Sequence, residues 1–294
     1  MQSEFSKYHP AVLFVYFMSV LLICMFTSNP VLAGLALLGC VAFLTVSPGK
    51  KRLRGAVWYV ILFLLISFAN PLFSHNGATP LFFLNGNAVT LEALCYGMMM
   101  GATLVAVLLW CSAYSRVMNT EGFLYLFGKI IPQIALMLSM AIAFIPRFIR
   151  QMRKVSAAQK SMGIYIDEGY FGKVKGALRV FQATVAWSVE NSIETSMSMN
   201  ARGYGVNKKR TSFTLFKFRQ SDMRLMILVC VLLCIMLSGL ASGKLNFNFY
   251  PKVSSVNLSP CAIMTYVAFG VLAFLPAVVE VKEKLRWNVL LARV

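Results

Sequence analysis

Arg147-Phe148-Ile149-Arg150-Gln151-Met152-Arg153-Lys154 opens a stretch that reaches Arg219, and Met199-Asn200-Ala201-Arg202-Gly203-Tyr204-Gly205 lies toward its end. The stretch carries 14 Lys/Arg against 4 Asp/Glu, favours helix, and faces water, yet it lies between strongly apolar segments. A basic helical block set between membrane segments fits a polytopic membrane protein that meets a partner on its cytoplasmic side.

Composition agrees with that class. Of 294 residues, 59% are hydrophobic and 13% charged, and the mean hydropathy is +0.71. Such a chain cannot keep its apolar surface from water, so an integral membrane protein is expected. A spanning helix needs roughly 20 mostly apolar residues, which selects Ala56–Phe73, Leu91–Tyr114, Met223–Ser242 and Ser259–Glu280. Ala11–Ser28 and Val31–Ser47 are shorter and joined tightly at Ser28-Asn29-Pro30. They suit a short or re-entrant hairpin that enters and leaves on one side.

The formal charge of +18 suggests nucleic acid, but its distribution points elsewhere. Lys50, Lys51, Arg52 and Arg54 follow the hairpin, the 147–219 block comes next, and Lys282, Lys284, Arg286 and Arg293 close the chain. The expected outer loops hold only His75 in one and Lys244 and Lys252 in the other. This is the positive-inside pattern. It implies a lipid bilayer and no nucleic acid as partner, with a basic surface suited to anionic headgroups. The start of the chain reads as uncleaved, since Glu4 and one lysine precede the first apolar run.

Ile130–Ile145 tests the topology. It is apolar but only 16 residues long, and Pro132 and Pro146 bracket it. If it crossed, the charges of 147–219 would face outward, against the charge rule. Residues 130–149 are therefore expected not to cross. The chain divides into an N-terminal transmembrane region (1–129, about four membrane segments), cytoplasmic coupling helices (130–221), and a C-terminal region of about two spans with a basic tail (222–294).

Within the block, one helix is expected to stop at Gly163. Asp167-Glu168-Gly169 form a turn, and a second helix over Phe171–Ala201, broken at most once, ends at Gly203 and Gly205. Ser188, Ser192 and Ser196 recur every fourth residue, a small-residue stripe that lets another helix cross closely; a solvated polar face is the alternative. Ala158-Gln159-Lys160-Ser161-Met162-Gly163 and Met199-Asn200-Ala201-Arg202-Gly203 end alike, with a long side chain before a Gly that permits a left-handed cap.

No chemistry of its own is evident. None of the Gly-Lys pairs at 49–50, 128–129, 172–173 and 243–244 sits in a P-loop pattern. There is no paired intramembrane carboxylate: Glu92 and Glu280 lie near span ends, where water is within reach. Most of the 7 Cys act as small hydrophobes in spans, and Cys230 and Cys234 gain no third ligand. No catalytic, cofactor-binding or metal site is expected. Gly97-Met98-Met99-Met100-Gly101 permits close helix packing, within the chain or against a partner. The 17 Met suit core filling and surfaces that repack.

Four pieces, in order, carry a resemblance. They are Asn70-Pro71-Leu72-Phe73-Ser74-His75, Ile145-Pro146-Arg147-Phe148-Ile149, Ala158-Gln159-Lys160 and Ala201-Arg202-Gly203-Tyr204. The chain resembles, over nearly its whole length, the transmembrane coupling subunit of energy-coupling factor (ECF) transporters, the EcfT/CbiQ family. The resemblance implies an all-α polytopic membrane protein of the plasma membrane with a cytoplasmic helical coupling module and C-terminus. It implies partners: a pair of ABC-type ATPase subunits, which would hydrolyse the ATP, and a substrate-capturing membrane protein. The chain would not itself be an enzyme and would need no cofactor. It would transmit ATP-driven motion for uptake of a vitamin, another micronutrient or a cobalt or nickel ion; specificity would lie in the separate polypeptide. Two Ala-Arg-X tips of the family dock in ATPase grooves, which maps ATPase coupling onto Ala201, Arg202 and Gly203 and onto Ser161, Met162 and Gly163, with the helix crossing and partner contact at Ser188, Ser192 and Ser196. The first tip departs from the pattern: Ser161-Met162-Gly163 stands where the family has Ala-Arg-Gly. An Arg makes bidentate contacts with carboxylates, whereas Met packs, so a nonidentical ATPase pair, or one tip held by packing, fits better. The alternative function is an autonomous secondary transporter or channel, and a third is a membrane-embedded enzyme; the sparse intramembrane charge and large helical block count against the former.

Overall fold

The structure is a computed structural model, and it describes residues 4–47, 55–74, 77–84, 87–163, 169–206, 216–243 and 245–291. His75, Lys50, Lys51, Arg52, Arg54, Asp167, Glu168, Lys244 and Arg293 lie outside the described residues. Two compact units result: residues 1–122 with 216–294, and residues 123–215.

After a 3-10 turn at Glu4–Lys7, the first unit contains α1 (Pro10–Phe26), α2 (Pro30–Val46) and α3 (Ala56–Phe73). A hairpin of β1 (Pro80–Leu84) and β2 (Asn87–Thr90) leads into α4 (Leu91–Val117). The second unit holds most of α5 (Thr120–Ile130), with α6 (Pro132–Ser161) and α7 (Tyr170–Ala201). The first unit is completed by α8 (Gln220–Ala241) and α9 (Pro260–Leu291). By length and composition, α4, α6, α8 and Pro260–Trp287 of α9 suffice to cross a membrane; α1, α2 and Val57–Phe73 are shorter apolar helices. The protein is an all-α polytopic membrane protein with one small antiparallel hairpin among the described residues.

Local chemistry sets the helix starts. Asn29 caps α2 by accepting the Val31 N–H (3.0 Å), with Pro30 at the first helical position, where its missing N–H is no loss. The Asn29 Nδ2 also donates to the Leu245 carbonyl (3.1 Å) and the Tyr266 hydroxyl (2.9 Å), tying the α1–α2 corner to the segment after α8 and to α9. Without water, every such polar group needs an internal partner.

The core is aromatic: Phe5, Tyr16, Phe17, Phe43 and Trp110 are fully buried and meet edge to face. Their polar ends are satisfied, Trp110 Nε1 donating to the Ala36 carbonyl (3.1 Å) and the Tyr16 hydroxyl to the Leu272 carbonyl (2.9 Å). Gly97 and Gly101 pack inward against α3. A Cβ on Gly97 would lie 2.6 Å from the Ser67 carbonyl oxygen, and one on Gly101 would meet Phe63 at 3.1 Å. Of the two sequence readings of Gly97–Gly101, close packing within the chain is therefore the one realised.

Two expectations are corrected. Glu92 and Glu280 do not reach water: both are buried, Glu92 accepting from the Thr79 hydroxyl and N–H and Glu280 from the Phe5 N–H. A helix position near a span end predicts solvation only until a loop or terminus folds over it. Ile130–Ile145 is not a bracketed 16-residue piece, because α6 runs unbroken for 30 residues with Pro146 inside it; the lost hydrogen bond does not end a helix that is satisfied on both sides of it. That length and apolarity meet the requirement for crossing, so the charge distribution alone argues that 130–149 does not cross. The second helix of the block, α7, is continuous over 32 residues, as the expectation of at most one break allows.

The β1–β2 hairpin was missed in the sequence. Its signal is present: Asn85-Gly86 separates two short apolar runs, and the strands pair with Phe83 opposite Ala88 and Leu84 opposite Asn87.

Candidate functional site

The candidate site lies in the second unit and is built from the ends and facing sides of α6 and α7. Both helices stop for the same reason. Met162 and Arg202 are the C-caps, with backbone angles of −81°, 4° and −80°, 7°, and Gly163 and Gly203 follow at φ +72° and +79°. A residue with a Cβ is strained there, which is why Gly ends each helix. Gly163 N–H donates to the Lys160 carbonyl (3.1 Å), and Gly203 N–H to the Asn200 carbonyl (3.0 Å). At α7 the Tyr204 N–H also reaches the Met199 carbonyl (3.0 Å), completing a Schellman motif. The two tips are thus backbone equivalents that differ in the side chain they present.

Both presented side chains are open to solvent. Met162 is 66% exposed. Arg202 is exposed together with Ala201, Gly203 and Tyr204, and Ser161 is exposed with its hydroxyl turned back to the Ala157 carbonyl (3.1 Å). The Arg202 cation at a helix C-terminus also complements the macrodipole. Met162 offers only apolar contact.

The tips do not come together. Phe144 stacks on Trp187 with centroids 5.8 Å apart and planes 21° from parallel. Phe144 lies 17 residues before Ser161, and Trp187 17 residues after Tyr170, about 26 Å of helix in each case. The intervening eight residues, 162–169, allow a span of about 30 Å at full stretch. That is too short to join helices running the same way past the stack. The helices therefore run in broadly opposite directions, and their C-terminal tips diverge to on the order of 40 Å.

The serine stripe belongs to a longer series. Gly176, Val180 and Thr184 are the buried residues of α7, four apart, and Ser188, Ser192 and Ser196 continue the spacing. Burial fades along it: Ser188 is half-buried, and Ser192 and Ser196 are exposed. The Thr184 hydroxyl donates to the Val180 carbonyl (2.7 Å) and that of Ser192 to the Ser188 carbonyl (2.7 Å), so each small polar side chain folds onto its own helix. Where the series opens, Ser192 and Ser196 line a groove of about 660 Å³ whose other wall includes Leu136, Met140 and Phe144. Ser188 is not part of the groove.

Two features escaped the sequence reading. The Phe144–Trp187 stack pins the helix pair, and no spacing rule links residues on different helices. The second is an apolar row on α7 (Phe171, Val174, Leu178, Phe181, Val185, Val189), exposed throughout; its three-and-four spacing was legible as an amphipathic face. No group of three or more His, Cys, Asp or Glu among the described residues is arranged to hold a metal ion.

No family model matches the chain. Individual relatives do. The energy-coupling factor transporter transmembrane protein EcfT of Listeria innocua is 26% identical over 193 residues, covering 62% of this chain and 71% of the relative. That of Staphylococcus aureus is 24% identical over 175 residues, 55% of this chain and 65% of the relative. That of Streptococcus equi is 31% identical over a shorter 101 residues, 34% of this chain and 38% of the relative. This chain is similar to EcfT transmembrane proteins over more than half of its length. Those relatives are transmembrane components of ECF transporters, and the paired Gly-capped tips are features of this chain's own structure. The matched stretch spans from about two fifths to about seven tenths of these relatives' lengths.

Proposed function

We propose that this chain is the coupling scaffold of an ECF-type importer in the plasma membrane, with the second unit as its cytoplasmic coupling module. ATP is hydrolysed in a pair of ABC-type ATPases that dock on the Ser161–Gly163 and Ala201–Gly203 tips. Their motion shifts the tips, the helix pair tilts about the Phe144–Trp187 stack, and a separate substrate-capturing membrane protein reorients. The cargo is a vitamin, another micronutrient or a cobalt or nickel ion. The observation that carries this reading is the pair of equivalent, exposed helix tips separated by on the order of 40 Å, which suits two partner sites rather than one. Their side chains suit nonidentical partners: a guanidinium for an acidic groove, a thioether for an apolar one. The groove lined by Ser192 and Ser196, beside the exposed row of α7, offers the surface for the substrate-capturing protein.

The test is copurification with ATPase partners followed by ATP-driven uptake in vesicles. Loss of both on Arg202→Glu, with the chain still folded, is the expected result. Uptake by the purified chain alone would return the autonomous-transporter reading instead.

A further inference from the structure

In the first unit, the start of α1, the start of α8 and the end of α9 converge at one end of the bundle. Between them lies a pocket of about 630 Å³ whose charged lining is five cations, Lys7, Arg219, Arg224, Lys282 and Arg286, against the two carboxylates of Asp222 and Glu283. Both carboxylates are already committed. Asp222 is buried and accepts the Arg219 N–H (2.8 Å), closing the cap of α8, and the His9 N–H (3.2 Å), holding the residue that caps α1. Glu283 takes the Arg286 guanidinium at 3.0 Å. Arg219 and Arg224 are exposed at their helix start, and Lys282 is exposed on α9.

The floor of the pocket is apolar, formed by Leu225, Leu228 and Val279, where the hydrophobic stretch of α8 begins and that of α9 ends. A second groove of about 690 Å³ shares Lys7, Lys282, Glu283 and Arg286 and continues past Trp287 to Leu290. Tyr8 borders the pocket. Burial pushes its phenol up, the Glu283 and Asp222 carboxylates add to this and Arg224 opposes it, so the hydroxyl stays protonated and able to donate.

We propose that this pocket binds the phosphate of an anionic phospholipid, with an acyl chain running down the apolar surface of Leu225, Leu228 and Val279 into the hydrocarbon. A phosphate oxygen accepts from guanidinium, ammonium and phenol donors alike, and a free phosphate would use the same donors. The apolar floor favours the lipid, because a soluble ion gains nothing from it. Basic pockets between transmembrane helix ends are a recurrent headgroup site, and Trp belongs at that depth. The site lies apart from both tips in the chain and needs no ATPase, so it stands or falls independently of the proposed coupling role.

The test uses the full chain purified in a neutral detergent, with lipid retention by native mass spectrometry and thermal shift as readouts. Phosphatidylglycerol, phosphatidylcholine and sodium phosphate are titrated in parallel. Phosphatidylglycerol is expected to bind about tenfold tighter than phosphatidylcholine, and the Arg219→Gln, Arg224→Gln double variant to lose about tenfold of that affinity. Lys282→Gln, on the exposed end of α9, is expected to lose severalfold, and Lys252→Gln in a distant loop to lose nothing. Equal affinity for the two lipids overturns the proposal, as does undiminished binding in Lys282→Gln should the double variant fail to fold. Sodium phosphate binding as tightly as phosphatidylglycerol would make it a soluble-anion site and overturn the lipid assignment.

Discussion

The bundle formed by α1–α4, α8 and α9 and the pair formed by α6 and α7 use similar side chains in opposite ways. In the bundle, Phe5, Tyr16, Phe17, Phe43 and Trp110 are fully enclosed, and glycines sit where helix backbones nearly touch. In the pair, α6 buries no residue and α7 buries Gly176, Val180 and Thr184 alone. Ile, Met, Phe and Val side chains stand open along both helices. An apolar surface of that extent is retained when something else covers it, whether partner or lipid. The difference separates the part of this chain that encloses its own apolar surface from the part that leaves it open.

The comparison predicts a sharp split between variants that unfold the protein and variants that uncouple it. The largest effect is expected from Trp110→Ala. It empties the centre of the aromatic cluster and leaves the Ala36 carbonyl without its donor, for a loss of about 3–5 kcal/mol. Thermal unfolding in detergent, followed by size-exclusion fluorescence, measures it; an unchanged midpoint would break the assignment of stability to this bundle.

Next comes Arg202→Glu. It should leave the unfolding midpoint in place, since Arg202 is exposed beyond the last helical turn. It should nevertheless weaken ATPase docking by about 1.5–3 kcal/mol, the loss of a charge-assisted contact. Met162→Ala should weaken docking less, because only packing is removed. A pull-down of the ATPases with each variant ranks the two tips, and the reverse order would sink the distinction drawn between them.

Gly97→Val follows, at about 1–3 kcal/mol of stability, because a Cβ 2.6 Å from the Ser67 carbonyl oxygen forces α3 and α4 apart. The same unfolding assay reads it, and full tolerance would show that the α3–α4 seam gives way cheaply.

Ser192→Leu is expected to have the smallest effect on stability, within about 0.5 kcal/mol, because the side chain enters an open groove rather than a packed seam. Its consequence should appear in uptake instead. Lost stability with intact uptake would mean that the groove closes in the working protein and the serine stripe is a seam after all.

Much of this was legible in one dimension. Apolar run length and the distribution of Lys and Arg sufficed for an all-α membrane protein, since hydrocarbon accepts only segments that satisfy their own backbone. Gly163 and Gly203 marked both helix ends, because the left-handed cap is a local requirement that a single residue type meets best. The Asn29-Pro30 break is local in the same way. What the sequence left undecided depends on residues far apart in the chain meeting in space. The burial of Glu280 under Phe5, the tie from Asn29 to Leu245 and the Phe144–Trp187 stack each join segments with no local signature. So do the opposed direction of α6 and α7 and the basic pocket assembled from three helix ends. Capping and hydropathy are properties of neighbours along the chain, and the sequence determines them; which side chains share a cavity is a property of packing, and only the tertiary structure decides it.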